Sequence, residues 1–132
     1  MPTGRRITHE ESEDVMDYQQ LNDEEINIRV GESFGWNAYF LHPDGSLTFR
    51  DDKGKIKGKK NFCNNPADVW PIILKNRISL VWDCAEDASS EWWNAVDQFD
   101  ECRVQYQSNL LRGAMIVFLM LRESANVQDN PV

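Results

Sequence analysis

Cysteine and histidine are scarce in this chain. Three cysteines (Cys63, Cys84, Cys102) are an odd number at wide spacing, which does not suit a disulfide framework and fits a reducing compartment. Structural zinc takes Cys and His ligands in short paired spacings, and no C-x-x-C or H-x-x-x-H pair occurs, so no metal is expected. The only histidines are His9, in a polar acidic stretch, and His42, in a His-Pro-Asp-Gly turn. Neither is placed as the base a nucleophilic cysteine needs. Gly54 and Gly58 bracket lysines with no helix start after them, so there is no phosphate-cradling loop. The carboxylates fall on termini and loops, where water solvates them. These absences argue against an enzyme, and no cofactor is expected.

Long apolar runs are missing too. The longest, Leu110 to Leu121, has 12 residues and ends at Arg122 and Glu123, whereas crossing a bilayer takes roughly 20. No apolar segment follows Arg5 and Arg6, so no signal peptide or membrane span is expected, and the expected location is cytoplasmic. Apart from Arg112 and Gly113 this run is wholly apolar, leaving no helical face for water. Such a helix sits in the middle of a core. Asn109 is its expected N-cap, and Gly113 is expected to let a neighbouring backbone approach.

Basic residues are outnumbered. Of the net charge of −8, residues 1–25 hold eight acids against Arg5 and Arg6. A general affinity for nucleic-acid phosphate is therefore not expected from the overall charge. Residues 1–17 read as an acidic, disordered arm, either a solvated tail or a docking arm.

A helix start follows. Asn22 and Glu25 form a capping box, Leu21 and Ile26 a hydrophobic staple, and Asp23 to Glu25 lie where the helix dipole favours acids. Ile26, Val30 and Phe34 make one stripe, and Gly35 ends the helix. Residues 36–41 and 46–50 read as strands around the His42-to-Gly45 turn, with 55–62 as a third strand. Five of the six lysines (Lys53, Lys55, Lys57, Lys59, Lys60) fall within the eight residues 53–60. They read either as a site for an anion or acidic partner or as a solvated edge guarded by lysine.

In Cys63-Asn64-Asn65-Pro66-Ala67-Asp68-Val69-Trp70-Pro71-Ile72-Ile73, Asn65 caps a helix and Pro66 takes its first position. Pro71 is expected to kink or restart it. Strands over 78–82 and 92–96, the latter with Trp92 and Trp93 on opposite faces, and a further edge strand over 102–106 lead into the buried helix. The polar tail, 124–132, is expected to fray. The order implies a single α+β domain over 18–123, a short antiparallel sheet with helices on its faces around the C-terminal helix.

The segments Met16-Asp17-Tyr18 through Glu25-Ile26-Asn27, Cys63 through Ile73, and Leu111-Arg112-Gly113-Ala114-Met115-Ile116-Val117-Phe118-Leu119-Met120 resemble the NinX-like phage proteins. The resemblance covers about residues 16–123 and is nearly residue for residue in the middle segment. Val69 and Gly113 stand where alanine is expected. The broader order of elements is similar to the phage α-β-α sandwich domain, which implies helices on both faces of an antiparallel sheet. The resemblance implies a phage accessory role in the host bacterial cytoplasm and supplies no reaction.

Binding is the chemistry these residues suit best. Cys63, Asn64 and Asn65 put amides at a helix start. Trp70, Trp92 and Trp93 offer flat walls, and Arg112 is a charge in need of a partner, with Asp68 the expected one. The blander reading of the same residues, which carries more weight, is a capping turn, core packing and a structural ion pair. Three functions follow: a modulator of a host protein, for instance a defence system; a binder of a nucleotide-like small molecule at the Asn-Pro turn and tryptophans; or a dimerising structural protein.

Overall fold

The computed structural model describes residues 16–129. Apart from Met16 and Asp17, the expected arm lies outside the described residues. The Asp17 carboxylate caps a short 3-10 turn, Tyr18–Gln20, by accepting from the Gln19 amide at 3.2 Å.

Helix α1 (Asp23–Ser33) carries the expected reciprocal cap. Asn22 Oδ1 accepts from the Glu25 amide, and Glu25 Oε1 accepts from the Asn22 amide, each at 2.8 Å. Ile26 and Val30 are fully buried, while Phe34, the C-cap, lays its ring on Phe118 at 5.8 Å. Gly35 then takes the left-handed conformation, φ +83°.

Strands β1 (Asn37–Leu41), β2 (Leu47–Arg50) and β3 (Ile56–Lys60) form an antiparallel meander, sheet A. Leu47 and Phe49 turn inward and are buried, so Thr48 and Arg50 face outward. The Phe49 ring lies directly on Gly31 of α1. A Cβ at that glycine would overlap Phe49 Cε1 and sit 2.7 Å from Cδ1, so this contact requires glycine.

Helix α2 (Pro66–Asn76) starts on Asn65 and contains Pro71 without interruption. Of the expected kink or restart, the restart does not occur, because the proline removes only one backbone hydrogen bond and sits on the exposed side of the helix. Strands β4 (Ser79–Cys84), β5 (Glu91–Val96) and β6 (Arg103–Gln107) form a second antiparallel meander, sheet B. Helix α3 (Leu110–Asp129) follows and runs past Glu123. Residues 124–129 are thus helical where a frayed tail was expected, since no glycine or proline interrupts them before Pro131.

Residues Ala114 to Leu119 are all buried, and α3 touches sheet B on one side and α1 and α2 on others. Sheet A packs against α1. The class is the expected α+β with α3 at its centre, and the strands divide into two sheets because α2 separates the meanders along the chain. The close approach at Gly113 comes from side chains, not from backbone: a Cβ there would stand 3.3 Å from Gln107 Cγ and 3.7 Å from Ala95 Cβ. No helix among the described residues is long and apolar enough to cross a membrane.

Candidate functional site

The Asn-Pro turn is a junction between three parts of the chain. Asn27 Oδ1 accepts from the Cys63 amide at 2.9 Å, and Asn27 Nδ2 donates to Asn61 Oδ1 at 3.0 Å. Asn64 Nδ2 donates to Asn61 Oδ1 at 3.1 Å and to Asp23 Oδ2 at 3.3 Å. Asn109 caps α3, accepting from the Leu111 amide at 2.9 Å, and donates to the Cys63 carbonyl at 2.8 Å. Arg112 closes the junction with Asp23 Oδ1 at 2.8 Å and the Leu21 carbonyl at 2.6 Å. Its acid partner is Asp23 rather than Asp68, because Asp23 begins α1 beside the start of α3. Asp68 instead accepts from the Asn61 amide at 2.8 Å and lies 3.9 Å from Lys60 Nζ. The polar groups of Asn64 and Arg112 are thus taken up by structural partners.

Beside this junction lies a polar cleft of about 360 Å³, with Asn64 and Asn65 on one wall and Asp44, Ser46, Lys59 and Asp68 around the others. Hydrogen bonds from the Ser46 hydroxyl and amide hold the Asp44 carboxyl down at about 2. Lys59 sits 3.3 Å from it. Two carboxylates in one cleft oppose an anion. The helix-start amides are also occupied, with Ala67 N donating to Asn65 Oδ1 and Asp68 N to the Asn65 carbonyl, each at 3.0 Å.

The tryptophans do not line this cleft. Trp70 is exposed on α2, and Trp92 and Trp93 lie in β5, Trp92 with its ring 5.0 Å from Tyr106. The amides and flat walls proposed from sequence therefore belong to separate places.

The lysines are divided as well. Lys59 and Lys60 face Asp44 and Asp68, and Lys57 lies 5.8 Å from the Trp36 ring centre. Lys53 and Lys55 flank a turn whose amides both donate to Asp51 Oδ1 at 2.9 Å. The Lys55 amide bond, with that of Lys53, holds the Asp51 carboxyl below the usual range. A residue missed from sequence stands beside them. Arg50 stacks its guanidinium on Tyr39, 3.6 Å from the ring centre, and its Nε is buried with no partner among the described residues. The inward Leu47 and Phe49 were the available signal, since they force Arg50 outward.

Burial and the nearby Asp23 push the Cys63 thiol up to about 12, and burial raises Cys102. Both are therefore protonated near neutral pH and poor nucleophiles. Among the described residues, no three His, Cys, Asp or Glu side chains are grouped to hold a metal.

Sheet B presents a different surface. Strand β4 is an edge that pairs with β5 through all six residues without a bulge. Val81 and Trp82 on it are 47% and 52% exposed. Residues 79–103 hold seven acids against Arg103 alone, a net of −6. The β5–β6 turn is built on Asp97, which is buried and accepts from the amides of Glu101 (2.6 Å), Cys102 (2.8 Å) and Phe99 (3.3 Å). Burial alone would raise its pKa, but these amides outweigh it and hold the carboxyl below the usual range.

Fold and surfaces together define a small α+β protein with a helical core and two outward-facing antiparallel sheets. The family model described as Bacteriophage P22, NinX matches residues 17–122, and the chain belongs to that family. No curated protein and no solved structure matches it.

Proposed function

We propose that this chain is a non-enzymatic phage accessory protein that acts in the host cytoplasm by binding a host protein, with β4 as the docking element. The observation that carries this reading is the regular edge of sheet B, six residues in unbroken register with exposed Val81 and Trp82. An edge of this kind offers a row of unpaired backbone groups to an incoming strand. The surrounding acids favour a partner whose strand is flanked by basic residues. A host defence component would suit a phage accessory protein of this kind.

The small-molecule reading draws less support, because the polar cleft has no aromatic wall and two carboxylates. Pairing of β4 with a second copy is the competing outcome. The test is affinity capture with the full chain in host cells, followed by mass spectrometry and sizing of the purified protein. A captured host protein that is lost with Val81→Lys and retained with Arg50→Gln supports the reading. Capture indifferent to Val81→Lys, or a homodimer that the substitution splits, overturns it.

A further inference from the structure

The outer face of sheet A carries a combination that the junction and β4 do not use and that shares only Lys59, already paired with Asp44, with the cleft. Tyr39 and Phe40 are 56% and 54% exposed. Phe40 pairs with Thr48, which pairs with Lys59, so these three share a face with Arg50. The Arg50 guanidinium already lies over the Tyr39 ring, and its Nε lacks a partner among the described residues. Residues 36–62 hold six basic side chains against three acids, a net of +3 within a chain of −8. No carboxylate of a described residue lies within ion-pair distance of Arg50, Lys53, Lys55 or Lys57.

We infer that this face binds single-stranded nucleic acid. Bases stack on exposed aromatic rings and on arginine planes, while lysines follow the phosphates. The flat rings and the cations occur together here, which a site for inorganic phosphate or an acidic peptide would not require. The total charge, which argues against nucleic acid for the chain as a whole, does not decide the matter locally. Charges farther away than a Debye length of about 8 Å are largely screened at physiological salt. A duplex keeps its bases stacked inside and offers these rings nothing to stack on.

The test is fluorescence anisotropy of the full chain with labelled oligo-dT, labelled oligo-U and a duplex of equal length, at 50 and 200 mM salt. Expected are binding of one or both single strands, a loss of about tenfold across that salt range, and little binding of duplex. Tyr39→Ala and Phe40→Ala should each weaken binding about tenfold. Both side chains are exposed, and circular dichroism verifies that the variants fold. Arg50→Gln should weaken it as well, while Val81→Lys on sheet B should not. The two single-stranded probes separate DNA from RNA as the source of the ligand. No binding at 50 mM salt, equal binding of duplex, or binding indifferent to both aromatic substitutions overturns the inference. Because the two proposals use different sheets, Arg50→Gln and Val81→Lys distinguish failure of this one from failure of host-protein docking.

Discussion

Sheets A and B are alike in topology and opposite in surface. Each is a three-stranded antiparallel meander, yet residues 36–62 carry +3 and residues 79–103 carry −6. Their edges differ too. In sheet A, β3 carries lysines and β1 has a bulge at Tyr39, two devices that discourage a further strand. In sheet B, β6 is irregular near Tyr106, which has φ +62°, but β4 is regular throughout. The inward residues of a meander settle how it joins the core. What it can meet outside depends on the outward residues and the edges.

Four substitutions probe how each sheet is held, taken in descending order of consequence. Gly31→Ala would drive a methyl into the buried Phe49 ring and unseat sheet A from α1. A loss of about 3 kcal/mol is expected by chemical denaturation. A loss under about 1 kcal/mol would mean that sheet A is loosely held.

Asp97→Asn attacks sheet B at its turn. Amides donating to an ionised buried acceptor make strong hydrogen bonds, and a loss of about 2 kcal/mol at pH 7 is expected. The folded-state pKa is lowered, so the stabilisation is present above the unfolded value of about 4 and is lost as pH falls through the folded value. The gap between the wild-type chain and Asp97→Asn should therefore narrow below about pH 4. Denaturation across pH 2–7 checks this, and a gap that widens in acid would contradict it.

Asn109→Ala removes the α3 cap and the bond to the Cys63 carbonyl, between the two sheets rather than within either. A loss of about 1.5 kcal/mol in thermal or chemical unfolding is expected. Gly113→Ala is the mildest change. Helix propensity favours alanine by about 1 kcal/mol, and the tightest neighbour is the flexible Gln107 side chain at 3.3 Å. The melting temperature should stay level or rise slightly, and a clear fall would show that α3 and β6 are packed too closely for a methyl group.

Much of this fold is legible in the sequence because local chemistry is explicit there. Asn22 with Glu25 announces one helix start and Asn65-Pro66 another, and the apolar run from Leu110 announces the core. The division into two sheets is not legible, since pairing between distant strands leaves no local signature. The helical state of residues 124–129 is hidden because polarity looks alike in a frayed tail and in a helix continuing into solvent. The candidate site is harder to read. Sequence points to Asn64, Asn65 and Arg112, and the polar groups of Asn64 and Arg112 meet Asn109 and Asp23 across long stretches of chain. Arg50 escapes notice although Leu47 and Phe49 orient it, because its stacking on Tyr39 depends on the β1–β2 register.

The proposed function makes strand β4 the surface that a host protein covers. Hydrogen–deuterium exchange of the full chain, alone and with the captured host protein, tests this most directly. Slowed exchange of the amides in 79–84 that point away from β5, with β1 unchanged, is the predicted result. Protection confined to β1, to α1 or to the polar cleft, with β4 exchanging as in the free chain, would contradict it.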